Sequence, residues 1–131
     1  MEKTAMLIER AKSAMEKAYA PYSNFSVGAA LLCSDGTVFD GCNVENVSFS
    51  ATCCAERTAL FKAVTEGNKC FEAIAVVGGK NGVIDGFCFP CGVCRQAFSE
   101  FCDDKMKIVL YNGKEVKTLT LGELLPNSFY F

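Results

Sequence analysis

Histidine is missing from all 131 residues. Its absence removes serine-histidine-aspartate and cysteine-histidine nucleophilic schemes, together with every metal site built on imidazole. A metal ion on this chain must be held by thiolates, with carboxylates as the only other common ligand type. Also missing is any run approaching the ~20 apolar residues of a membrane-spanning helix. Met1-Glu2-Lys3-Thr4 lacks the basic-then-apolar layout of a secretory leader. The expectation is a cytoplasmic protein that engages no membrane. Positive charge is not in excess either, since 13 basic and 15 acidic side chains give a net charge of −2. Such a chain has no electrostatic hold on a nucleic-acid backbone, which favours a small free substrate over a polymer. No internal repeat or linker divides the sequence.

What is present is a globular composition, 50% hydrophobic, whose length predicts one domain over residues 1–131. It is rich in cysteine. Nine cysteines without an export signal are expected as thiols or metal ligands rather than disulfides. Three fall in two short stretches, Cys54-Ala55-Glu56 and Pro90-Cys91-Gly92-Val93-Cys94. The other six, Cys33, Cys42, Cys53, Cys70, Cys88 and Cys102, are expected as small core or near-core residues.

A Cys-x-x-Cys pair at a helix start clamps one edge of a metal, and Cys54 can bring a third sulfur from another helix. Three protein ligands leave tetrahedral Zn²⁺ one position for water. Glu56 then serves as the proton carrier rather than as a fourth ligand. Helix N-termini favour thiolates at Cys54, Cys91 and Cys94. Three thiolates nevertheless give the zinc centre a net charge of −1, which makes it a poor Lewis acid. Arg57 is therefore expected to donate hydrogen bonds to the sulfurs and offset their charge. Arg95, beside Cys94, is a second candidate for that task.

Apolar spacing predicts an amphipathic helix from about Thr4 to Tyr19, ended by Ala20-Pro21. Strands are predicted at Phe25 to Cys33 and Val38 to Asn43, around the turn pair Asp35-Gly36. A second helix runs from about Cys54 to Glu66, with Ala55, Leu60, Phe61, Ala63 and Val64 as its buried side. Phe71 to Val77 is a strand, and Gly78 to Gly82 a loop by composition. A third helix is predicted from Cys91 to about Phe101, with Pro90 in its first turn. Strands at Lys107 to Tyr111 and Val116 to Leu119 flank Asn112-Gly113, and a short helix spans Leu121 to Leu125. This order fits an α/β fold with a mixed five-stranded sheet between helices.

Taken together, the two cysteine stretches resemble the signature of zinc-dependent nucleoside and nucleobase deaminases. With Cys54 in the first ligand place, the chain is most similar to the small homotetrameric cytidine deaminases. The similarity runs from Ala20-Pro21-Tyr22-Ser23 to Glu123-Leu124-Leu125-Pro126. It implies a three-layer α/β/α sandwich, one Zn²⁺ per subunit, and hydrolytic deamination of cytidine and 2′-deoxycytidine in pyrimidine salvage. It also implies that Phe25 lies against the pyrimidine, that Asn43 and Glu45 hold the ribose hydroxyls, and that Ala55 offers a backbone contact to the base. Sites at the interfaces of a homotetramer are implied as well, with Phe129 closing a neighbour's site. The tail Phe129-Tyr130-Phe131 is apolar enough to need cover. Phe49 departs from the family, standing where many relatives have Tyr. Three other readings compete: a closed structural zinc module with Cys53 or Cys88 as fourth ligand, a thiol-disulfide module on Cys91 and Cys94, and a deaminase of another cytosine nucleoside.

Overall fold

The computed structural model of the protein describes residues 2–130. Met1 and Phe131, which figure in the readings of the two chain ends, lie outside the described residues. Helix α1 (Glu2–Met15) buries Leu7, Ile8, Ala11, Ala14 and Met15, a stripe at helical spacing. It stops four residues before Tyr19. The amides of Lys17 and Ala18 turn back to the carbonyls of Ala14 and Met15, and Tyr19 bonds across to another segment instead. Its N–H donates to Asn43 O (3.0 Å) and its carbonyl accepts from Glu45 N (2.8 Å). A long-range backbone pairing thus replaces the last helical turn that periodicity predicts.

Strands β1 (Phe25–Cys33) and β2 (Val38–Cys42) form the expected hairpin. Helix α2 (Ala55–Thr65) leads to β3 (Phe71–Lys80), and α3 (Gly92–Ser99) leads to β4 (Lys107–Tyr111). Strand β5 (Val116–Thr120) and helix α4 (Leu121–Leu124) follow. Thr120 and Glu123 cap α4 reciprocally through side chain and backbone. The sheet order is β2-β1-β3-β4-β5. Strand β1 is antiparallel to both neighbours, β3 and β4 are parallel, and β5 is antiparallel to β4. This is the mixed five-stranded sheet that the element order implies.

Alternation along the strands sends side chains to two faces. Ala30, Leu32, Ala75, Val77 and Val109 pack against α1, while Ala29, Leu31, Ile74, Val76 and Leu110 pack against residues of α2, α3 and α4. The result is the three-layer α/β/α sandwich. Because β2, β3 and β4 run the same way, the β2-α2-β3-α3-β4 path starts both central helices at one edge of the sheet.

Several expectations need correction. Strand β3 does not stop at Val77, because Gly78 pairs with Val27, Gly79 with Ser26 and Lys80 with Phe25. The glycines serve close approach rather than a turn. A Cβ on Gly79 would lie 1.7 Å from Val83 O, and one on Gly78 would lie 3.0 Å from Cys88 Sγ. In α2 the sheet-facing positions are Ala55, Ala59, Leu60 and Ala63, and Phe61, about 100° further round the helix, is exposed. Helix α3 ends at Ser99, so Phe101 lies past it and packs edge-on against Phe71, 6.2 Å between ring centres. Pro90 is outside the helix, preceding the N-cap Cys91.

Gly41 fixes how α2 meets the sheet. A Cβ there would fall 2.5 Å from Ala55 O and 2.6 Å from Ala59 N, both backbone atoms of the turn that carries Glu56. Substitution G41A is expected to cost about 1–3 kcal/mol of stability through overpacking, measured by denaturant unfolding. Unchanged stability would show that α2 can stand off from β2.

Candidate metal centre and active site

Cys54 and Cys91 occupy equivalent places, each the N-cap of its helix with extended backbone, φ −72° and −69°. Neither sulfur caps its own helix. Both are turned into the space between the helices, where Cys94, in the first turn of α3, joins them. The three sulfurs lie within 4.8 Å of one another. Cys54 Sγ to Cys91 Sγ is 3.7 Å, and Cys91 Sγ to Cys94 Sγ is 3.5 Å. Sulfurs at the usual Zn–S distance in a tetrahedral site stand ~3.8 Å apart, so these spacings fit zinc. Cys94 is buried, Cys54 half-buried and Cys91 exposed, which leaves the cluster accessible from one side.

Arg57 lies in the first turn of α2 and its Nη2 donates to Cys54 Sγ at 3.3 Å. Its Nε is buried without a partner among the described residues. The neighbouring sulfur of Cys94 and the Arg57 guanidinium pull the Cys54 thiol down to about 5 against the cost of burial. Arg57 itself is held more firmly charged by the same sulfur. Arg95 differs from the expectation. Its Nε donates to Pro90 O (2.8 Å) and its Nη1 to Leu124 O (2.7 Å), so its bonds tie the ligand loop to α4 rather than reaching sulfur.

A pocket of about 330 Å³ opens beside the cluster. Cys54, Cys91 and Glu56 line it. Glu56 is 4% exposed, and burial, reinforced by the charge on Cys54, pushes its carboxyl up to about 7. Asn43, Glu45, Ser23 and Thr52 are among the pocket's polar lining residues, and Phe25, Val27 and Phe89 among its apolar ones. Ala55 also lines it, as the first residue of α2, where the main-chain N–H has no partner within the helix. Seven of the nominated positions thus converge: Phe25, Asn43, Glu45, Cys54, Ala55, Glu56 and Cys91. The two remaining partners of the cluster, Cys94 and Arg57, sit behind it. A larger groove of about 540 Å³ between α1 and the β4–β5 hairpin is lined by none of these cysteines.

Phe129 does not line this pocket in its own chain. It is 68% exposed, and its carbonyl accepts from Gln96 Nε2 (3.3 Å). Phe49 is exposed in a short 3₁₀ turn. Cys53 and Cys88 line the pocket without joining the sulfur cluster, and burial pushes the Cys88 thiol up to about 12. Cys70 departs from the expected core placement. It is exposed in the turn before β3, where its carbonyl accepts from Ser34 N. Phe89 is a pocket residue that sequence reading passed over, although its place two residues before Cys91 in an extended lead-in puts it on the ligand's side. Ser23 carries no such signal, because its role rests on hydrogen bonds to a residue 22 positions away.

Residues 1–110 match the cytidine and deoxycytidylate deaminase zinc-binding region. The chain is 50% identical over 124 residues to a cytidine deaminase of Sporosarcina psychrophila, covering 94% of this chain and 88% of that protein. It is 49% identical over 125 residues to a cytidine deaminase of Halalkalibacterium halodurans, covering 95% and 92%. The crystal structure of a cytidine deaminase from Burkholderia pseudomallei superposes with a TM-score of 0.87 at 52% identity, over 95% of this chain and 98% of that one. A thiolate cluster that fits zinc, an adjoining buried carboxyl and this likeness along nearly the whole chain lead to one conclusion: the chain belongs to the cytidine and deoxycytidylate deaminase family of zinc-binding enzymes.

Proposed function

We propose that the protein hydrolyses cytidine and 2′-deoxycytidine to uridine and 2′-deoxyuridine with release of ammonia, as a single catalytic domain of pyrimidine salvage in the cytoplasm. The observation that carries this reading is the shared pocket of Glu56 and the sulfur cluster. Cys54, Cys91 and Cys94 would hold one zinc ion, which when bound supplies an activated water. Glu56 is buried and keeps a raised carboxyl, so it can both accept and return a proton near neutrality. In the reaction a C4–O bond forms and the C4–N bond breaks. Glu56 delivers protons to ring N3 and to the departing amino nitrogen. Arg57 draws negative charge from Cys54 through its Nη2 hydrogen bond. Phe25 and the backbone of Ala55 hold the base, while Asn43 and Glu45 hold the sugar.

Homotetramerisation fits the exposed aromatic side chains of Phe49, Phe129 and Tyr130, which would find cover between subunits. In that assembly Phe129 closes a neighbour's pocket.

The direct experiment mixes purified protein with cytidine and follows loss of the cytosine absorbance and release of ammonia, before and after chelation. Turnover that stops on chelation and returns with zinc is expected; turnover indifferent to metal would overturn the reading. Substitution E56Q is expected to lower kcat by at least about a thousandfold with zinc content unchanged by metal analysis. C94S should instead lose the metal. For R57Q a fall in kcat of about tenfold or more is expected, with the unfolding midpoint little moved. Wild-type turnover in R57Q would dispose of charge compensation.

A further inference from the structure

The polar lining of the pocket is already extensively hydrogen-bonded by the protein itself. Glu45 Oε1 accepts from the main-chain N–H of Tyr22 (2.9 Å) and of Ser23 (3.1 Å), and Oε2 accepts from Ser23 Oγ (2.5 Å). A carboxylate has about four acceptor positions. Three are filled, and the one remaining is on Oε2. Asn43 is similarly committed: its Oδ1 accepts from Val27 N (2.9 Å) and its Nδ2 donates to Phe25 O (2.8 Å). That leaves one N–H and one lone pair on the amide. What the two side chains still offer to this pocket is one acceptor position on Glu45 and, on Asn43, one N–H and one lone pair; the Glu45 acceptor and the Asn43 N–H match the donor and an acceptor of a single hydroxyl group.

Ser23 is the hinge of this arrangement. Its hydroxyl donates to Glu45 and accepts from Phe25 N (3.0 Å), and its own N–H holds the other carboxylate oxygen. The segment around it is fixed, with Asn24 in a left-handed turn (φ 58°), its N–H on Ala20 O and its carbonyl accepting from Asn81 N (2.7 Å). Ser23 lines the pocket alongside Glu45. We propose that Ser23 is a positioning residue for sugar recognition: by occupying three of the four acceptor positions of Glu45 together with Tyr22, it presents the remaining Oε2 position to one sugar hydroxyl. The hydrogen bonds from Ser23 and Tyr22 also lower the Glu45 carboxyl below its ordinary range and keep it ionised as an acceptor. This inference rests on the nucleoside reading above.

The test compares cytidine with 2′,3′-dideoxycytidine, which carries the same base without either ring hydroxyl. Substitution S23A is expected to lower kcat/KM for cytidine about tenfold through KM, the scale of a hydrogen bond to a charged group, and to leave dideoxycytidine within about twofold. The preference between the substrates then collapses by the same tenfold. S23T, which restores the hydroxyl, is expected to recover the preference. In an E45Q background S23A should shift the preference no further, since Ser23 acts through Glu45. Equal losses on both substrates, or a further loss in the E45Q background, would reduce Ser23 to a support for Phe25 and overturn the inference. Absence of cytidine turnover in the unmodified protein would overturn the nucleoside reading itself, so the two failures are told apart by the first measurement.

Discussion

Three sulfur atoms brought within 4.8 Å repel one another as they ionise, and the chain counters that repulsion at every level. Two helix N-termini meet there and present their partial positive charge. Arg57 adds a full charge at 3.3 Å from Cys54. The neighbouring sulfur of Cys94 and the hydrogen bond from Arg57 lower the Cys54 thiol, while the Cys54 sulfur and burial raise the thiol of Cys94. Without this compensation the sulfurs would move apart or stay protonated. The pocket would then lose the place at which chemistry can occur.

The sheet explains how two helices come to start at one point. Parallel β2, β3 and β4 send the chain back through α2 and α3 to the same edge, with β1 inserted antiparallel between the first two. Small residues bring the layers close. Gly41 lets β2 touch the first turns of α2, and Gly78 and Gly79 admit Cys88, Phe25 and the Val83 backbone. Arg95 then fastens Pro90, directly before Cys91, to the carbonyl of Leu124. The ligand loop is therefore tied to α4 and the core by a residue adjoining a ligand but not bonded to its sulfur. The lining around Asn43 is fixed as well, since its side chain grips β1 through the main chain of Phe25 and Val27.

Much of this was legible in the residue order. Strands β1 and β4 match the expected bounds, since alternating or continuous apolar runs end at clear turn residues. The metal set was legible because cysteine spacing has few uses in a chain without histidine. Misreadings came where a long-range contact overrode a local cue. Tyr19 left its helix for the backbone of Asn43 and Glu45. Gly78 and Gly79 continue β3 by pairing with Val27 and Ser26 of β1, where close neighbours leave little room for a side chain, whereas composition suggested a loop. Arg95 was a second candidate, behind Arg57, by its adjacency to Cys94, yet it bonds the carbonyls of Pro90 and Leu124 while Arg57, on the other helix, reaches sulfur.

By itself, then, the order of residues determined the chemistry: which side chains can bind a soft divalent cation, which carboxyl stands next to them, and which runs form the centre of each main helix and strand. Those are properties of residue types and short spacings, set by bonding and by hydrophobic periodicity. Only the tertiary structure decided how far Glu56 is buried, that Cys53 and Cys88 stand apart from the sulfur cluster, and that Ser23 reaches Glu45. Such facts depend on distances between segments tens of residues apart, and those distances are set by the packing of the sheet against its helices rather than by any local preference.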